Sequence, residues 1–361
     1  MSKLRVGVLG ATGMVGQRFI TILADHAWFE PVEVAASPRS AGKTYQEAVD
    51  GRWTLSGTEV PESVADLVVR KVSNVDSIVE NVDFVVSALD MDKEEIRALE
   101  NSYARRETPV VSNNSAHRWT PDVPMIIPEI NPDHADVIPA QRKRLGTTRG
   151  FVSVKPNCSI QPYVPAFQAL WDFGPTRASV CTYQALSGAG KTPETYPEMA
   201  DNVIPFIGGE EEKSADEPLK IWGHISNGEI VKADSPVISA QCVRVPVTDG
   251  HLAATSVSFE KKPTREDVIA RWNSFQGNEG AEGLPSAPSP FVVYRDEDDR
   301  PQTRLDRDFG NGMGITIGRL REDNVFDYKF VALSHNTVRG AAGGAILMAE
   351  LLKAQGYIEA S

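Results

Sequence analysis

The N-terminal stretch constrains the fold of this chain more than any other segment. The apolar run LRVGVLG is followed by ATGMVGQRFITILADH, a pattern that predicts a strand, a tight turn and an amphipathic helix. Gly10, Gly13 and Gly16 give the spacing GxxGxxG at that turn. Glycines let the backbone approach a pyrophosphate closely, and the start of the helix offers it unpaired N–H groups. Its position between a strand and a helix favours a dinucleotide site over a glycine turn without a ligand. The predicted contacts are Gly10, Thr12, Gly13, Met14 and Val15.

Further apolar runs continue this pattern. EPVEVAAS, VDFVVSAL and TPVVSNN predict short strands, and KEEIRALENSYARR predicts a helix between the last two. Strands that alternate with helices indicate an α/β fold with a Rossmann-type, doubly wound parallel sheet. Past Phe151, RASVCTYQALS, VISAQCVRVPV and HLAATSVSFE predict longer strands with partial alternation. We therefore expect a second, α+β domain with a mixed sheet, and a terminal amphipathic helix in HNTVRGAAGGAILMAELLKAQ.

Composition excludes several classes of protein. The net charge of -12 argues against a nucleic-acid binder, which needs a basic face. We find no apolar run of about 18 residues, so we expect no membrane span. The start MSKLRVGVLG leaves no room for a secretory signal peptide. Cys158, Cys181 and Cys242 are too few and too scattered for a disulfide framework or a metal knuckle. We expect a cytoplasmic protein without a metal.

The end of the second predicted strand bears on the choice of cofactor. An NAD site usually has a carboxylate there for the ribose 2′-hydroxyl. Here the chain reads AASPRSAGK, with Ser37, Arg39, Ser40 and Lys43 but no acid. A guanidinium and hydroxyls suit a 2′-phosphate, so we predict NADP(H), with Ser37, Arg39 and Ser40 as contacts. The alternative is a surface arginine in a loop.

The segment KPNCSI places Cys158 among turn-forming and polar residues. At a junction between a loop and a helix, N–H dipoles would favour a thiolate, and Asn157 could donate a hydrogen bond to it. A buried structural thiol is the alternative, and Cys158 alone does not decide between them. Cys181 and Cys242 lie in apolar strand patterns typical of a core.

Among six histidines, His251 stands out. It follows a glycine at the predicted start of a strand, seven residues after Arg244. A histidine close to an arginine suits an acid–base group beside an anion clamp. From this feature alone, His251 could also be a turn histidine without a catalytic role.

Several motifs in order carry a resemblance that covers nearly the whole chain. They are GATGMVGQ, SNNSAHRW, IPEIN, KPNCSI, YQALSGAGK, GGEEEK, RVPVTDGH and HNTVRGAAGGA. In these segments the chain resembles the aspartate-β-semialdehyde dehydrogenase family, and in detail its fungal and archaeal branch. The resemblance implies NADPH-dependent reductive dephosphorylation of L-aspartyl-β-phosphate to the semialdehyde and phosphate through a cysteine thioester. This reaction belongs to the aspartate pathway to lysine, threonine and methionine. The resemblance also implies a homodimer or homotetramer.

The resemblance further implies roles for individual residues near the predicted thiol. Cys158 would be the nucleophile, and His251 the acid–base group. Asn157 would hold the site around the thiol, and Gln184 would position the acyl-enzyme. Arg244 would bind the substrate α-carboxylate through a bidentate pair.

Other residues would bind the rest of the substrate and the cofactor. Glu210 would meet the α-amino group, although the run Glu210–Glu212 leaves open which acid does so. The predicted phosphate contacts are Lys213, Arg118 and Asn114. The predicted cofactor contacts in these motifs are Ser87, Ser187, Gly188 and Asn336. Because Asn336 must reach the cofactor, we expect one domain of residues 1–156 with 335–361, and a catalytic and dimerisation domain of residues 157–334.

Three alternative functions remain to be weighed. An N-acylglutamyl-phosphate reductase typically surrounds its cysteine with a glycine-containing motif, so PNCS argues against it. A malonyl-CoA reductase would not need an acid for an amino group, so Glu210 argues against it. A non-catalytic NADPH sensor would leave Cys158, Arg244 and His251 unexplained.

Overall fold

A parallel sheet forms the N-terminal part of the protein. The computed structural model describes residues 2–55 and 57–361. The strands of this sheet are β1 (Leu4–Leu9), β2 (Phe29–Ala36), β3 (Arg70–Lys71), β4 (Phe84–Ser87), β5 (Val110–Ser112) and β6 (Val152–Val154). Their order is β3-β2-β1-β4-β5-β6, and every pair is parallel. This order reverses between β1 and β4, as in doubly wound dinucleotide-binding sheets, so the predicted fold class of this part is confirmed.

Helices connect these strands. They are α1 (Met14–Ala24), α2 (Tyr45–Val49), α3 (Glu62–Ala65), α4 (Val75–Val79), α5 (Lys93–Arg105) and α6 (Ile138–Leu145). The glycine turn before α1 is sterically required. A Cβ on Gly16 would lie 2.1 Å from the Gly10 carbonyl oxygen, and Gly10 itself has φ +82°. The strand and the helix therefore pack so closely that only glycine fits at these two positions.

The second sheet is mixed. Its strands are β7 (Pro175–Gln184), β10 (Val237–Arg244), β11 (His251–Phe259), β12 (Val292–Arg295), β13 (Ile315–Glu322) and β14 (Tyr328–Ser334), and β8 (His224–Ser226) with β9 (Glu229–Val231) forms a separate ribbon. The order is β10-β7-β11-β14-β13-β12. β10 runs parallel to β7, whereas β11 is antiparallel to both β7 and β14. The mixed sheet that the alternating segments predicted is confirmed.

One face of the second sheet is covered by helices. The helices of this part are α7 (Val164–Gln168), α8 (Glu210–Ile221), α9 (Arg265–Ser274) and α10 (Thr303–Asp306). On β7, buried and exposed residues alternate: Ala178 and Val180 are buried, whereas Arg177 and Ser179 are exposed. Trp272 of α9 is fully buried against this face. The alternation therefore follows one covered and one open face.

The C-terminal segment returns to the first sheet. A π-helical turn at Val338–Ala342 leads into α11 (Gly343–Ala354), which contacts α1 and β5. Every residue from Gly343 to Leu352 is buried, so the prediction of an amphipathic helix is wrong. Its one internal acid, Glu350, is satisfied by His26 Nε2 at 2.7 Å. Within the described residues, no helix has both the length and the apolar character needed to cross a bilayer.

Candidate active site

A crevice opens where the carboxyl ends of β1, β2 and β4 meet. It is a cavity of about 320 Å³ at the point where the strand order reverses, the usual dinucleotide site of such sheets. The predicted cofactor residues in its lining are Gly10, Thr12, Gly13, Ser37 and Arg39. Gly13 caps α1 without a side-chain hydrogen bond, so N–H groups of the first turn remain available to a pyrophosphate. These residues fit a dinucleotide.

Ser40 and Met14 were predicted to contact the cofactor but do not line this crevice, and one basic residue was missed. Ser40 is buried, and its hydroxyl accepts a hydrogen bond from Arg52 at 3.3 Å. Arg52 itself lines the crevice beside Arg39. Nothing in the sequence marked Arg52 as a cofactor contact, because it follows α2 and reaches the crevice only through the packing of α2 against the glycine turn. Met14 begins α1 and lines neither this crevice nor the cavity described next.

A second cavity of about 270 Å³ lies next to the crevice, with Val15 in its wall. It gathers predicted residues from both parts of the chain. These are Val15, Asn114, Arg118, Asn157, Cys158, Ser187, Gly188, Glu210, Lys213 and Asn336. Gln184 and Arg244 stand behind the wall, and Ser87 lies behind Asn114, to which it is hydrogen-bonded at 3.0 Å. Most of the residues predicted from separate motifs therefore lie around one cavity.

Cys158 lies in a single turn of 3-10 helix, Cys158–Ile160, which is separated from the end of β6 by three residues. Its Sγ lies 3.4 Å from His251 Nε2 and 3.4 Å from Asn157 Oδ1. The thiol donates to Asn157, whose Oδ1 also accepts from the Ser159 N–H at 2.8 Å. Asn157 is therefore an acceptor at the sulfur, and the expectation that it donates is wrong.

The thiol is also less acidic than the sequence suggested. Burial raises the pKa of Cys158 to about 11, and nearby Glu210 acts in the same direction. Lys155, Arg118 and Arg244 oppose this increase. A three-residue helix has too few aligned peptide groups to lower the thiol pKa as a long helix would. The resting sulfur is therefore protonated.

His251 is neutral and has a defined tautomer. Its Nδ1 accepts a hydrogen bond from the Ala185 N–H at 3.1 Å, so the ring proton lies on Nε2, facing the sulfur. Burial, with help from Arg244 and His335, holds the pKa of His251 well below its usual range. The Ala185 carbonyl accepts from Arg244 Nη1 at 2.6 Å. The backbone of one residue, Ala185, thus orients both His251 and Arg244.

The sheet register explains why these side chains meet. Arg244 ends β10 beside Gln184, which ends the parallel strand β7. His251 begins the antiparallel strand β11 and pairs with Ser334 at the end of β14. Four strand ends therefore converge at one edge of the second sheet. Asn336 follows β14 there, donating to Ser187 Oγ at 2.8 Å and accepting from the Gly250 N–H at 2.7 Å.

Of the three consecutive acids, Glu210 is the one at the cavity. It accepts from Lys213 Nζ at 2.8 Å, from Asn157 Nδ2 at 3.0 Å and from Gln184 Nε2 at 3.3 Å. Burial opposes ionisation, but Lys213 and these hydrogen bonds outweigh it and lower the pKa of Glu210. Glu211 instead accepts from the Cys242 N–H, and Glu212 is exposed. The arrangement presents one ionised carboxylate beside the thiol.

Arg118 and Asn114 form the opposite wall. Arg118 donates to Lys155 O, Glu217 Oε1 and Asn113 O, so two of its five N–H groups remain for an anion in the cavity. Asn114 donates both amide hydrogens, to Ser87 Oγ at 3.0 Å and Glu100 Oε1 at 2.9 Å. It can therefore offer only its carbonyl oxygen to a ligand, which does not suit a fully ionised phosphate.

Three residues next to Cys158 were missed by sequence reasoning. Lys155 is fully buried, which lowers its pKa to about 7. Glu217 is also fully buried and accepts hydrogen bonds close to the thiol. A Cβ on Gly340 would lie 2.7 Å from Cys158 Cβ. The small residues of HNTVRGAAGGA could have indicated the close approach of Gly340 to Cys158, whereas nothing in the sequence marked Glu217.

Comparisons with known proteins agree with this geometry. The family model described as the NAD-binding domain of semialdehyde dehydrogenase matches residues 5–138, and the model of its dimerisation domain matches residues 165–339. An aspartate-semialdehyde dehydrogenase from Archaeoglobus fulgidus is 45% identical over 350 residues, 97% of this chain and 98% of that protein. The chain belongs to the aspartate-semialdehyde dehydrogenase family.

Fungal relatives are similarly close. The aspartate-semialdehyde dehydrogenase from Aspergillus fumigatus is 43% identical over 366 residues, covering 99% of each chain. A crystal structure of the enzyme from Candida albicans with NADP has a TM-score of 0.88 at 39% identity, covering 99% of this chain and all of that one. Family members from archaea and fungi are therefore both similar to this chain, as the motifs predicted.

Proposed function

We propose that the protein catalyses the NADPH-dependent reductive dephosphorylation of L-aspartyl-β-phosphate to L-aspartate-β-semialdehyde and phosphate. One observation carries the proposal: Cys158 Sγ lies 3.4 Å from His251 Nε2, in a cavity that also presents Arg118, Lys213 and Glu210. This set matches an acyl phosphate with one ammonium group. The relatives that bear this name are similar to the chain over almost its full length.

Cys158 is the nucleophile in this proposal. Its sulfur attacks the acyl carbon, the carbon–oxygen bond to phosphate breaks, and phosphate departs toward the free N–H groups of Arg118 and toward Lys213. Arg244 binds the substrate α-carboxylate, and Glu210 binds its ammonium group in place of Lys213. Gln184 and Asn157 hold Glu210, so they orient the acyl group indirectly.

His251 controls the protons. As the sulfur attacks, the imidazole takes the thiol proton at Nε2, which requires that the ring proton of the resting tautomer has first moved to Nδ1. The bound NADPH supplies the hydride that reduces the acyl group. When the carbon–sulfur bond later breaks, the same imidazole is within reach of the sulfur to return a proton. The resting tautomer, which carries its proton on Nε2, can act toward the sulfur only as an acid. To act as a base, His251 must carry its ring proton on Nδ1 instead.

The crevice at the first sheet binds the cofactor in this proposal. Ser37, Arg39 and Arg52 line the crevice, and no carboxylate stands at the end of β2, which suits the 2′-phosphate of NADP(H). The acid in the lining, Asp90, follows β4 instead. Ser187, Gly188 and Asn336 line the neighbouring cavity, where the nicotinamide must lie to reach the acyl group.

We further propose the organisation of the protein. Residues 1–156 with 335–361 form the cofactor domain, and residues 157–334 form the catalytic and dimerisation domain. The open face of the second sheet supports assembly into a homodimer, or a homotetramer built from such dimers. All three cysteines are free thiols, which is consistent with a location in the reducing cytoplasm.

The proposal is tested by NADP⁺ reduction with L-aspartate-β-semialdehyde, with and without inorganic phosphate. We expect NADPH formation that requires phosphate and is abolished by Cys158→Ala, while NADPH binding stays nearly intact. Cys181→Ala is the matched control, because Cys181 lies on β7 away from the cavity, and it should turn over normally. Wild-type protein that does not reduce NADP⁺ under these conditions would refute the proposed function. Turnover by Cys158→Ala would refute the assignment of Cys158 as the nucleophile.

A further inference from the structure

Glu217 joins two parts of the site that are far apart in sequence. Its side chain is 0% exposed. Oε2 accepts a hydrogen bond from the backbone N–H of Asn157 at 2.6 Å, directly before the nucleophile. Oε1 accepts from Arg118 Nη1 at 2.9 Å. One carboxylate therefore contacts both the nucleophile turn and the proposed phosphate ligand.

Helix α8 supplies the rigid support for this bridge. Glu210, Ser214 and Glu217 follow one another at spacings of four and three, so they lie on one face of the helix. All three contact the turn around Cys158: Glu210 accepts from Asn157 Nδ2, and Ser214 Oγ bonds Ser159 Oγ at 2.8 Å. Glu217 is the member of this face that also reaches Arg118.

The ion pair determines how Arg118 faces the cavity. Arg118 Nε and Nη2 donate to the carbonyls of Lys155 and Asn113, and Nη1 donates to Glu217. These three bonds fix the plane of the guanidinium, so its two remaining N–H groups point in a defined direction. Since the exposures of the two side chains are 8% and 0%, loss of the carboxylate would leave a buried cation without its partner.

We propose that Glu217 is a positioning residue that couples phosphate binding at Arg118 to the placement of Cys158. This inference rests on the proposed function for the identity of the anion. The coupling arises because the same carboxylate holds both groups. Phosphate bound at Arg118 competes with Glu217 for the guanidinium charge, and the carboxylate passes this change to the N–H of Asn157, directly before Cys158. The position of the nucleophile therefore depends, through the Glu217 carboxylate, on whether phosphate is bound.

Glutamine cannot replace Glu217, although it has nearly the same shape. Both carboxylate oxygens accept from N–H donors. An amide offers one acceptor oxygen, and its NH₂ group would face a second donor, either Arg118 or the Asn157 N–H. In either orientation of the amide, Glu217→Gln removes the negative charge that pairs with Arg118, so it weakens the Arg118 half of the bridge without creating a cavity.

The test compares Glu217→Gln with Asp216→Asn in the full chain. Asp216 is the preceding residue and pairs at 3.3 Å with Lys232, away from the cavity, so it controls for loss of a carboxylate on this helix. We expect Glu217→Gln to raise the KM for phosphate about tenfold or more, the usual effect of losing a charged hydrogen bond. The KM for the semialdehyde should stay within about twofold, because Arg244 and Glu210 are untouched. Asp216→Asn should match wild type in both.

The contrast between the two KM values distinguishes positioning from general loss of structure. An unchanged phosphate KM in Glu217→Gln would overturn the inference, and so would equal changes in both KM values. If Glu217→Gln does not fold, Glu217→Asp decides, because it keeps the charge but is too short to reach both donors. It should raise the phosphate KM alone, and a wild-type value would overturn the inference.

A second measurement separates this inference from the proposed function. Inorganic phosphate bound at Arg118 should slow alkylation of Cys158 by iodoacetamide. The half-protecting phosphate concentration should rise about tenfold in Glu217→Gln and stay unchanged in Asp216→Asn. This readout needs no turnover, so inactive wild-type protein would refute the function but leave the coupling testable. Equal protection of both variants, or no protection of wild type, would overturn the coupling.

Discussion

Substitution of Gly340 by alanine tests how tightly the C-terminal segment sets the position of the nucleophile. A Cβ at this position would lie 2.7 Å from Cys158 Cβ and 3.3 Å from Cys158 Cα. Ordinary contacts between carbon atoms are about 3.5–4.0 Å, so the two groups must separate by about 1 Å. The clash is directed at the one residue whose position the chemistry depends on.

The nucleophile turn must absorb this movement, because the segment that carries Gly340 is fixed. Arg339 forms a bidentate buried pair with Glu129 at 2.6 and 2.7 Å. Gly340 N–H donates to the His335 carbonyl at 2.9 Å. Displacement of a reacting group by about 1 Å can cost about 100-fold in rate. Overpacking of this kind costs about 1–3 kcal/mol in the free energy of unfolding.

The assay measures kcat, the NADP dissociation constant and the rate of Cys158 alkylation for Gly340→Ala. We expect kcat to fall about 100-fold. NADP binding should change far less than kcat, because the added methyl group is directed at Cys158 and Gly340 contributes only to the cavity proposed for the nicotinamide, not to the crevice proposed for the rest of the cofactor. Gly208→Ala is the control, since its added Cβ would lie 4.0 Å from the nearest atom, an ordinary contact. A Gly340→Ala protein with kcat within about threefold of wild type would refute the reasoning.

Three further predictions concern the cofactor, the substrate and the thiol. Arg39→Glu should raise the KM for NADP far more than that for NAD, and equal effects on both would remove Arg39 from the 2′-phosphate site. Arg244→Lys should cost about 2 kcal/mol or more in kcat/KM, because a point charge cannot replace a bidentate fork, and unchanged kinetics would remove Arg244 from the site. Since burial raises the pKa of Cys158 to about 11, alkylation of the free enzyme should accelerate about tenfold per pH unit as the thiolate fraction grows, without levelling off below about pH 10, and a plateau near neutral pH would contradict this pKa.

The features that sequence predicted well are those in which local signals agree. The strand LRVGVLG, the glycine turn and the helix that follows each require the same backbone path, so the first sheet could be predicted from pattern. The positions of Cys158, His251 and Arg244 followed from ordered motifs, and the register of β7, β10 and β11 explains why they converge.

The features that were missed depend on packing between distant segments. Asn157 was expected to donate to the sulfur, but Glu210 takes its amide group and leaves only the oxygen for the thiol. Glu217 and Arg52 became visible only once helices and loops were placed in three dimensions. Helix α11 looked amphipathic because periodicity reports side-chain types and not how many sides of a helix its neighbours cover.

The most direct test of the account is the mass of the Cys158 peptide. The protein is incubated with L-aspartate-β-semialdehyde and NADP⁺ in the absence of phosphate, quenched in acid and digested. We expect an aspartyl thioester on Cys158, which disappears when phosphate is added before the quench. An unmodified Cys158 peptide, or an adduct on another residue, would contradict it.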